Sequence, residues 1–262
     1  LGLLGKNGTG KTTTINILMG YLRPQNGECR IFGEPITELS PATRERIALL
    51  IEGHVQYSFM TIEQIERFYS RFYRKWNREA YYELMHKLQV SPRQKISSMS
   101  CGQRSQVALG LILAQNADLL VLDDFSLGLD PGYRRLFIDY LREFAKAENK
   151  TVFMTSHIIQ DMERLIDDCI ILDYGRILVQ EPVSELMSSF SKFVYVADES
   201  SALPSDERFI NPGRIRNEVE LYTFESPEYV SAALQRQGIN YSGLERCDMS
   251  LEDVFIGLTG KY

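Results

Sequence analysis

The sequence predicts an α/β fold, a domain on a largely parallel sheet followed by a small α+β appendage, and three observations predict it. Short apolar runs at 1–4, 47–51, 118–122 and 151–155 alternate with stretches of helical periodicity, the pattern of strands buried on both faces. The first run leads into Gly5-Lys6-Asn7-Gly8-Thr9-Gly10-Lys11-Thr12, which fits G-x-x-x-x-G-K-[ST], and a helical stretch follows it. Past Ser189 the texture shifts to shorter strand-like runs separated by Pro and Gly. With 262 residues there is room for one large domain, or one medium domain with a small companion.

Composition narrows the partners. A net charge of −6 argues against a nucleic-acid binder, which carries a basic face, and none is expected. Cys29, Cys101, Cys169 and Cys247 are scattered with no C-x-x-C pair, which fits a reducing compartment and neither a zinc site nor a disulfide framework. No apolar run approaches the length of a membrane span and there is no signal peptide, so any membrane role is expected to come through a partner. Residue 1 is Leu, and a phosphate loop needs a complete strand before it. The native chain is therefore expected to begin earlier, with part of the nucleotide site outside this sequence.

The elements follow in order. After the apolar run 1–4, Gly5, Gly8 and Gly10 let the backbone curl so that N–H groups from Asn7 to Thr13 point into one hollow. The helix beginning there adds its partial positive charge, and Gly20 ends it. Lys11 would bridge the outer phosphates of a nucleoside triphosphate, and the Thr12 hydroxyl would hold Mg²⁺. Residues 27–33 read as a short strand between glycine turns, and 47–51 as a buried strand delivering Glu52. From 61 to 88, Ile62, Ile65, Tyr69, Phe72, Tyr73 and Trp76 recur at helical spacing among arginines and lysines. That pattern suits a docking surface for another subunit, but the periodicity favours an amphipathic helix with a core stripe. The helix over 107–114 is apolar, and 118–124 is an apolar strand ending in Asp123-Asp124. A helix over 134–147 and a strand over 151–157, ending at His157, complete the alternation, and strands at 170–173 and 176–179 flank Tyr174-Gly175. In the tail, 193–197 and 218–224 read as strands, Pro204 and Pro212-Gly213 as linker, and Ser226 and Ser250 as helix caps.

In parallel sheets, ligands sit beyond the carboxyl ends of the strands, where the phosphate loop, Asp123, Asp124 and His157 would meet. A strand-end carboxylate opposite a phosphate loop is the Walker B arrangement, with Asp123 on Mg²⁺ and the following Asp124 orienting the attacking water.

Taken together, residues 5–12, Ser100-Cys101-Gly102-Gln103, 120–124, Leu129-Asp130-Pro131 and Thr155-Ser156-His157 resemble the ATP-binding subunits of ABC transporters in order and spacing across 1–180. The tail Ser250-Leu251-Glu252-Asp253-Val254-Phe255 looks like the end of exporter-type subunits whose ATPase is a chain separate from its permease. The resemblance implies a P-loop NTPase fold, with an ABC ATPase domain over 1–189, a helical subdomain at about 58–115, and an accessory domain over 190–262. It implies ATP and Mg²⁺ as ligands, hydrolysis to ADP and phosphate, and a cytoplasmic chain peripheral to the inner face of the cell membrane. The partners it implies are an integral-membrane permease and a second ATPase chain, identical or paralogous.

Carried over residue by residue, Ser100, Gly102 and Gln103 would form a signature loop reaching the γ-phosphate held by the other chain of a head-to-tail dimer. Asp130 would lie at the dimer seam, and His157 would hydrogen-bond the γ-phosphate as charge develops. The sequence departs from the family where Asp124 replaces a glutamate. The shorter carboxylate sits on the order of 1 Å from its expected place, a shift that can cost around a hundredfold in rate. Glu52 stands where the family has a glutamine, near Mg²⁺, with Gln56 the lesser candidate for that position; Cys101 replaces a signature glycine. The competing expectations are an ABC-type ATPase without a permease, and a regulatory subunit that senses nucleotide while barely hydrolysing it.

Overall fold

The computed structural model describes residues 1–51, 57–125, 129–156 and 158–260. Glu52, Gln56 and His157 lie outside the described residues. The chain divides into two compact units, Leu1–Leu165 and Ile166–Tyr262.

The first unit opens with β1 (Gly2–Gly5), buried throughout, and turns through the glycine loop into α1 (Lys11–Leu18). A small hairpin, β2 (Arg30–Ile31) with β3 (Glu34–Pro35), precedes α2 (Pro41–Arg44) and β4 (Ile47–Leu50). Three helices come next: α3 (Ile62–Tyr69), α4 (Arg78–Lys87) and α5 (Cys101–Ala114). The unit ends with β5 (Leu119–Asp123), α6 (Pro131–Ala147), β6 (Thr151–Thr155) and α7 (Ile159–Glu163). Strands β4, β5, β6 and β1 lie side by side in that order and all run parallel. Leu4, Ala48, Leu120, Val121, Leu122 and Met154 are fully buried, which is why these strands read as continuous apolar runs rather than alternating ones. Parallel pairing brings all the carboxyl ends to one edge. The glycine loop after β1, Asp123-Asp124 on β5 and Thr155-Ser156 on β6 therefore share it.

The helical stretch 61–88 is interrupted rather than continuous. Thr61 opens α3 with a reciprocal capping box to Gln64, the helix stops at Tyr69, and Asn77 caps α4 by accepting from the Ala80 N–H at 3.1 Å. The Asn77 N–H is meanwhile committed to the Ala114 carbonyl at 2.7 Å, so this turn is pinned to the end of α5. Ile62 and Ile65 are buried as the core stripe requires, but Phe72 is 61% exposed. The periodicity carries across the break in sequence only, because 70–77 has left the helix.

In the second unit, β7 (Asp168–Asp173) and β8 (Arg176–Pro182) form an antiparallel hairpin, followed by α8 (Val183–Ser189). Then come β9 (Ser191–Ala197), β10 (Ile210–Ile215), β11 (Glu218–Thr223), α9 (Pro227–Arg236), β12 (Tyr241–Cys247) and α10 (Leu251–Thr259). The sheet order is β10-β11-β9-β12, all antiparallel, and Phe193, Tyr195, Val219, Leu221, Val230 and Leu234 form a core beneath α9. Pro212-Gly213, expected as linker, lies within β10. That strand is at the sheet edge and its register shifts between Ile210 and Gly213, which is where a sheet tolerates proline.

On α10, a Cβ at Gly257 would stand 2.5 Å from the ring of Tyr222, which is itself buried. Gly257→Ala is expected to destabilise the second unit by about 1–3 kcal/mol through overpacking. Urea denaturation followed by tyrosine fluorescence should show an earlier midpoint at an unchanged slope.

Candidate functional site

The glycine loop has the geometry of an anion cradle. Gly8 and Gly10 adopt φ of +80° and +99°, and a Cβ on either would meet nothing within 4 Å. The hollow beside them is open, and the glycines serve backbone conformation rather than close packing. Thr9 is buried and braces the loop from within, its hydroxyl donating to the Lys6 carbonyl at 2.8 Å. Gly10 precedes α1 with no side-chain cap, so no side chain competes for the N–H groups of the first helical turn. Thr12 and Thr13 are exposed on that turn.

Lys11 folds back over the loop. Its ammonium donates to the carbonyls of Gly5 at 2.7 Å and Lys6 at 3.0 Å, and the residue is 9% exposed. Burial pulls its pKa below the ordinary lysine value, while the carboxylates of Asp124 and Asp123 act in the opposite direction. A buried cation between a loop of N–H donors and two acids is poised for phosphate oxygens.

Asp123 ends β5, buried, and its Oδ1 accepts from the Thr155 hydroxyl at 2.6 Å and from the Thr12 hydroxyl at 3.5 Å. The pairing register explains the first contact, since Asp123 lies directly opposite Thr155 on β6. Asp124 follows with φ of +46°, and its N–H donates to both the carbonyl and the hydroxyl of Thr155, each at 3.2 Å. Among the described residues, no cluster of three or more His, Cys, Asp or Glu could hold a metal. A cation here would take one hydroxyl and one carboxylate from this chain and its other oxygens from phosphate and water. That donor set is all oxygen and fits Mg²⁺.

Ser100, Gly102, Gln103 and Asp130 form a second group. Ser100 caps α5 with a reciprocal box, its hydroxyl accepting from the Gln103 N–H at 3.2 Å and the Gln103 side chain accepting from the Ser100 N–H at 3.1 Å. Asp130 caps α6, accepting from the Gly132 and Tyr133 N–H groups at 3.0 and 3.2 Å. Tyr133 joins the two helix starts: its ring covers Gly102, and its carbonyl accepts from Gln106 Nε2 at 2.8 Å. The roles expected of Glu52 and His157 fall on positions outside the described residues. Thr155 stood in the quoted motif without a role. The available signal was a hydroxyl ending one buried strand while a carboxylate ended its neighbour.

A model of the ABC transporter family matches residues 1–126, which include the glycine loop, Ser100–Gln103 and Asp123-Asp124. Among solved structures, the ATP-binding subunit of an ABC transporter superposes with a TM-score of 0.62 at 25% identity, covering 71% of this chain and 80% of that one. A dimeric ATP-binding cassette in a post-hydrolysis state with ADP and Pi shares the fold, with a TM-score of 0.60 at 21% identity over 70% of this chain and 84% of that one. In sequence, the bacitracin transport ATP-binding protein BcrA of Bacillus licheniformis is 26% identical over 99% of this chain and 88% of its own length. The Nod factor export ATP-binding protein I of Cupriavidus metallidurans is 30% identical over the same shares of the two chains. Similarity that runs nearly end to end through both units is family likeness rather than a borrowed motif, and this chain belongs to the ABC transporter family as one of its ATP-binding proteins.

Proposed function

We propose that this ABC ATPase powers a separate membrane permease by closing against a second ATPase chain around Mg²⁺-ATP, then hydrolysing the nucleotide to reopen. The observation that carries the reading is the convergence of Lys11, Thr12 and Asp123 on the open glycine loop. Asn7, Gly8, Gly10, Lys11, Thr12 and Thr13 cradle the phosphates, and Thr12 and Asp123 hold Mg²⁺, which neutralises phosphate charge during transfer. Ser100, Gly102 and Gln103 face the nucleotide of the other chain, with Asp130 at the seam. Residues 1–189 form the ATPase domain and 190–262 the accessory domain. Relatives named for Nod factor export and bacitracin transport favour an exporter. Among the described residues no helix is long and apolar enough to cross a membrane. Relatives named as ATP-binding proteins of transport systems support a permease carried on a separate chain, with this one peripheral to the cytoplasmic face. Tyr57, Phe59 and Phe72 are exposed and pack edge-to-face in a cluster with the half-buried Phe68, which supports contact with such a partner.

Asp124 makes intrinsic hydrolysis slow. Its backbone is held by Thr155, so the main chain does not move to offset the missing methylene. Asp124→Glu is expected to raise steady-state ATP turnover of the purified chain roughly ten- to a hundredfold, the scale set by a displacement of about 1 Å. Turnover measured beside co-purification of a polytopic membrane protein tests the whole reading. Silence of both wild type and Asp124→Glu, with nucleotide still bound and no membrane partner recovered, would make the chain a nucleotide sensor. The short carboxylate at 124 is the observation that favours that second reading.

A further inference from the structure

We infer that Thr155 is the positioning residue of the metal site: one buried hydroxyl on β6 fixes the carboxylate of Asp123 and the peptide of Asp124 together. The inference rests on the nucleotide site proposed above and goes further by placing control of the cation on a strand that does not carry the ligand. Thr155 is completely buried, so its hydroxyl has no water to fall back on. A hydroxyl has one proton and two lone pairs. Here the proton goes to Asp123 Oδ1 at 2.6 Å, the short distance of a charge-assisted bond, and a lone pair takes the Asp124 N–H at 3.2 Å. The terminal torsion of an aspartate is broad, and this bond narrows it.

The consequence is chemical. The hydroxyls of Thr155 and Thr12 both address Oδ1, and among the described residues no hydrogen bond reaches Oδ2. Oδ2 is thereby the oxygen kept for a divalent cation. With its proton turned toward Asp123, the Thr12 oxygen presents lone pairs to the same cation. The second bond holds Asp124 at φ +46°, in the left-handed region that non-glycine residues seldom occupy, and so sets where its carboxylate departs from the chain. The register that pairs Asp123 with Thr155 delivers this arrangement without any loop rearrangement.

The test uses the full chain and the variants Thr155→Val, which keeps shape and removes the hydroxyl, and Thr155→Ser, which keeps the hydroxyl. Binding of a fluorescent ATP analogue is measured without divalent cation and then across a Mg²⁺ titration, and Mn²⁺ paramagnetic resonance counts bound metal. Thr155→Val is expected to raise the half-maximal Mg²⁺ concentration about 10- to 100-fold, the usual cost of losing a partner that orients a metal ligand. Metal-free nucleotide affinity should hold, because Lys11 and the loop N–H groups are untouched, and Thr155→Ser should restore the Mg²⁺ dependence. An unchanged Mg²⁺ dependence in a folded, nucleotide-binding Thr155→Val would overturn the inference. So would failure of Thr155→Ser to restore it, since the methyl would then be the operative group. If Thr155→Val does not fold, Thr155→Cys, with a weaker donor of similar shape, carries the same expectation. A wild type that binds no nucleotide would sink the proposed function instead, so the two failures are distinct.

Discussion

Lys11→Ala is expected to lower ATP turnover about 10²- to 10³-fold, the loss that follows removal of one preorganised donor at a site of developing charge. The structure explains the size. The ammonium is already desolvated and held by two loop carbonyls, so it meets an incoming phosphate without reorganisation. Its removal takes one positive charge from beside Asp123 and Asp124, so less of the repulsion between those carboxylates and the nucleotide is offset. Both kcat and KM should worsen, because a lysine in the proposed role would contact the phosphates before and during transfer. Lys11→Arg is not a conservative rescue: one compact ammonium makes both bonds to the Gly5 and Lys6 carbonyls, a geometry that a planar fork does not reproduce. Steady-state phosphate release and binding of a fluorescent ATP analogue measure the two losses. Turnover by Lys11→Ala within about fivefold of wild type would mean that the nucleotide lies elsewhere, since the template gives this lysine the outer phosphates.

The glycine loop of the candidate site was legible in the sequence because its spacing is set by backbone geometry. Gly8, Gly10 and Lys11 occupy fixed offsets in a loop whose N–H groups must converge, and nothing distant decides their placement. The parallel sheet was legible for a related reason: strands buried on both faces are apolar through their middle, so 119–122 announces itself. Thr155 was different. Its importance depends on which residue of β5 it faces, and register is a property of two strands that neither spells out alone. The end of α3 at Tyr69 was hidden as well. Aromatic spacing persists through Phe72, Tyr73 and Trp76, but the chain there answers to the Asn77 cap and the end of α5, contacts made across the fold. Pro212 misled in the opposite direction. Proline argues against a strand only where its missing N–H is needed, and an edge strand with a bulge does not need it.

Gly102→Ala should be the most damaging single methyl in the first unit. A Cβ at that position would lie 2.3 Å from Cδ2 and 2.6 Å from Cγ of Tyr133, well inside contact distance. The main chain of Tyr133 is fixed, its N–H bound to the Asp130 cap and its carbonyl to Gln106, so relief must come from turning the ring or shifting a helix start. Overpacking should cost about 1–3 kcal/mol of stability. The same displacement would tilt the starts of α5 and α6 apart, carrying Ser100 and Asp130 with them, and ATP turnover should fall at least about tenfold, since misplacement of about 1 Å is that costly. Two causes for the glycine compete. Either a phosphate of the opposite chain needs the space, or Tyr133 does. Tyr133→Ala separates them by a double-mutant cycle on both thermal stability and turnover. If the ring is the reason, Gly102→Ala should cost little once Tyr133 is gone, with a coupling in the range of about 0.5–3 kcal/mol expected for residues in contact. If the losses simply add, the glycine is kept clear for the nucleotide. The contact distances favour the ring: it already fills the volume that a side chain at 102 would enter.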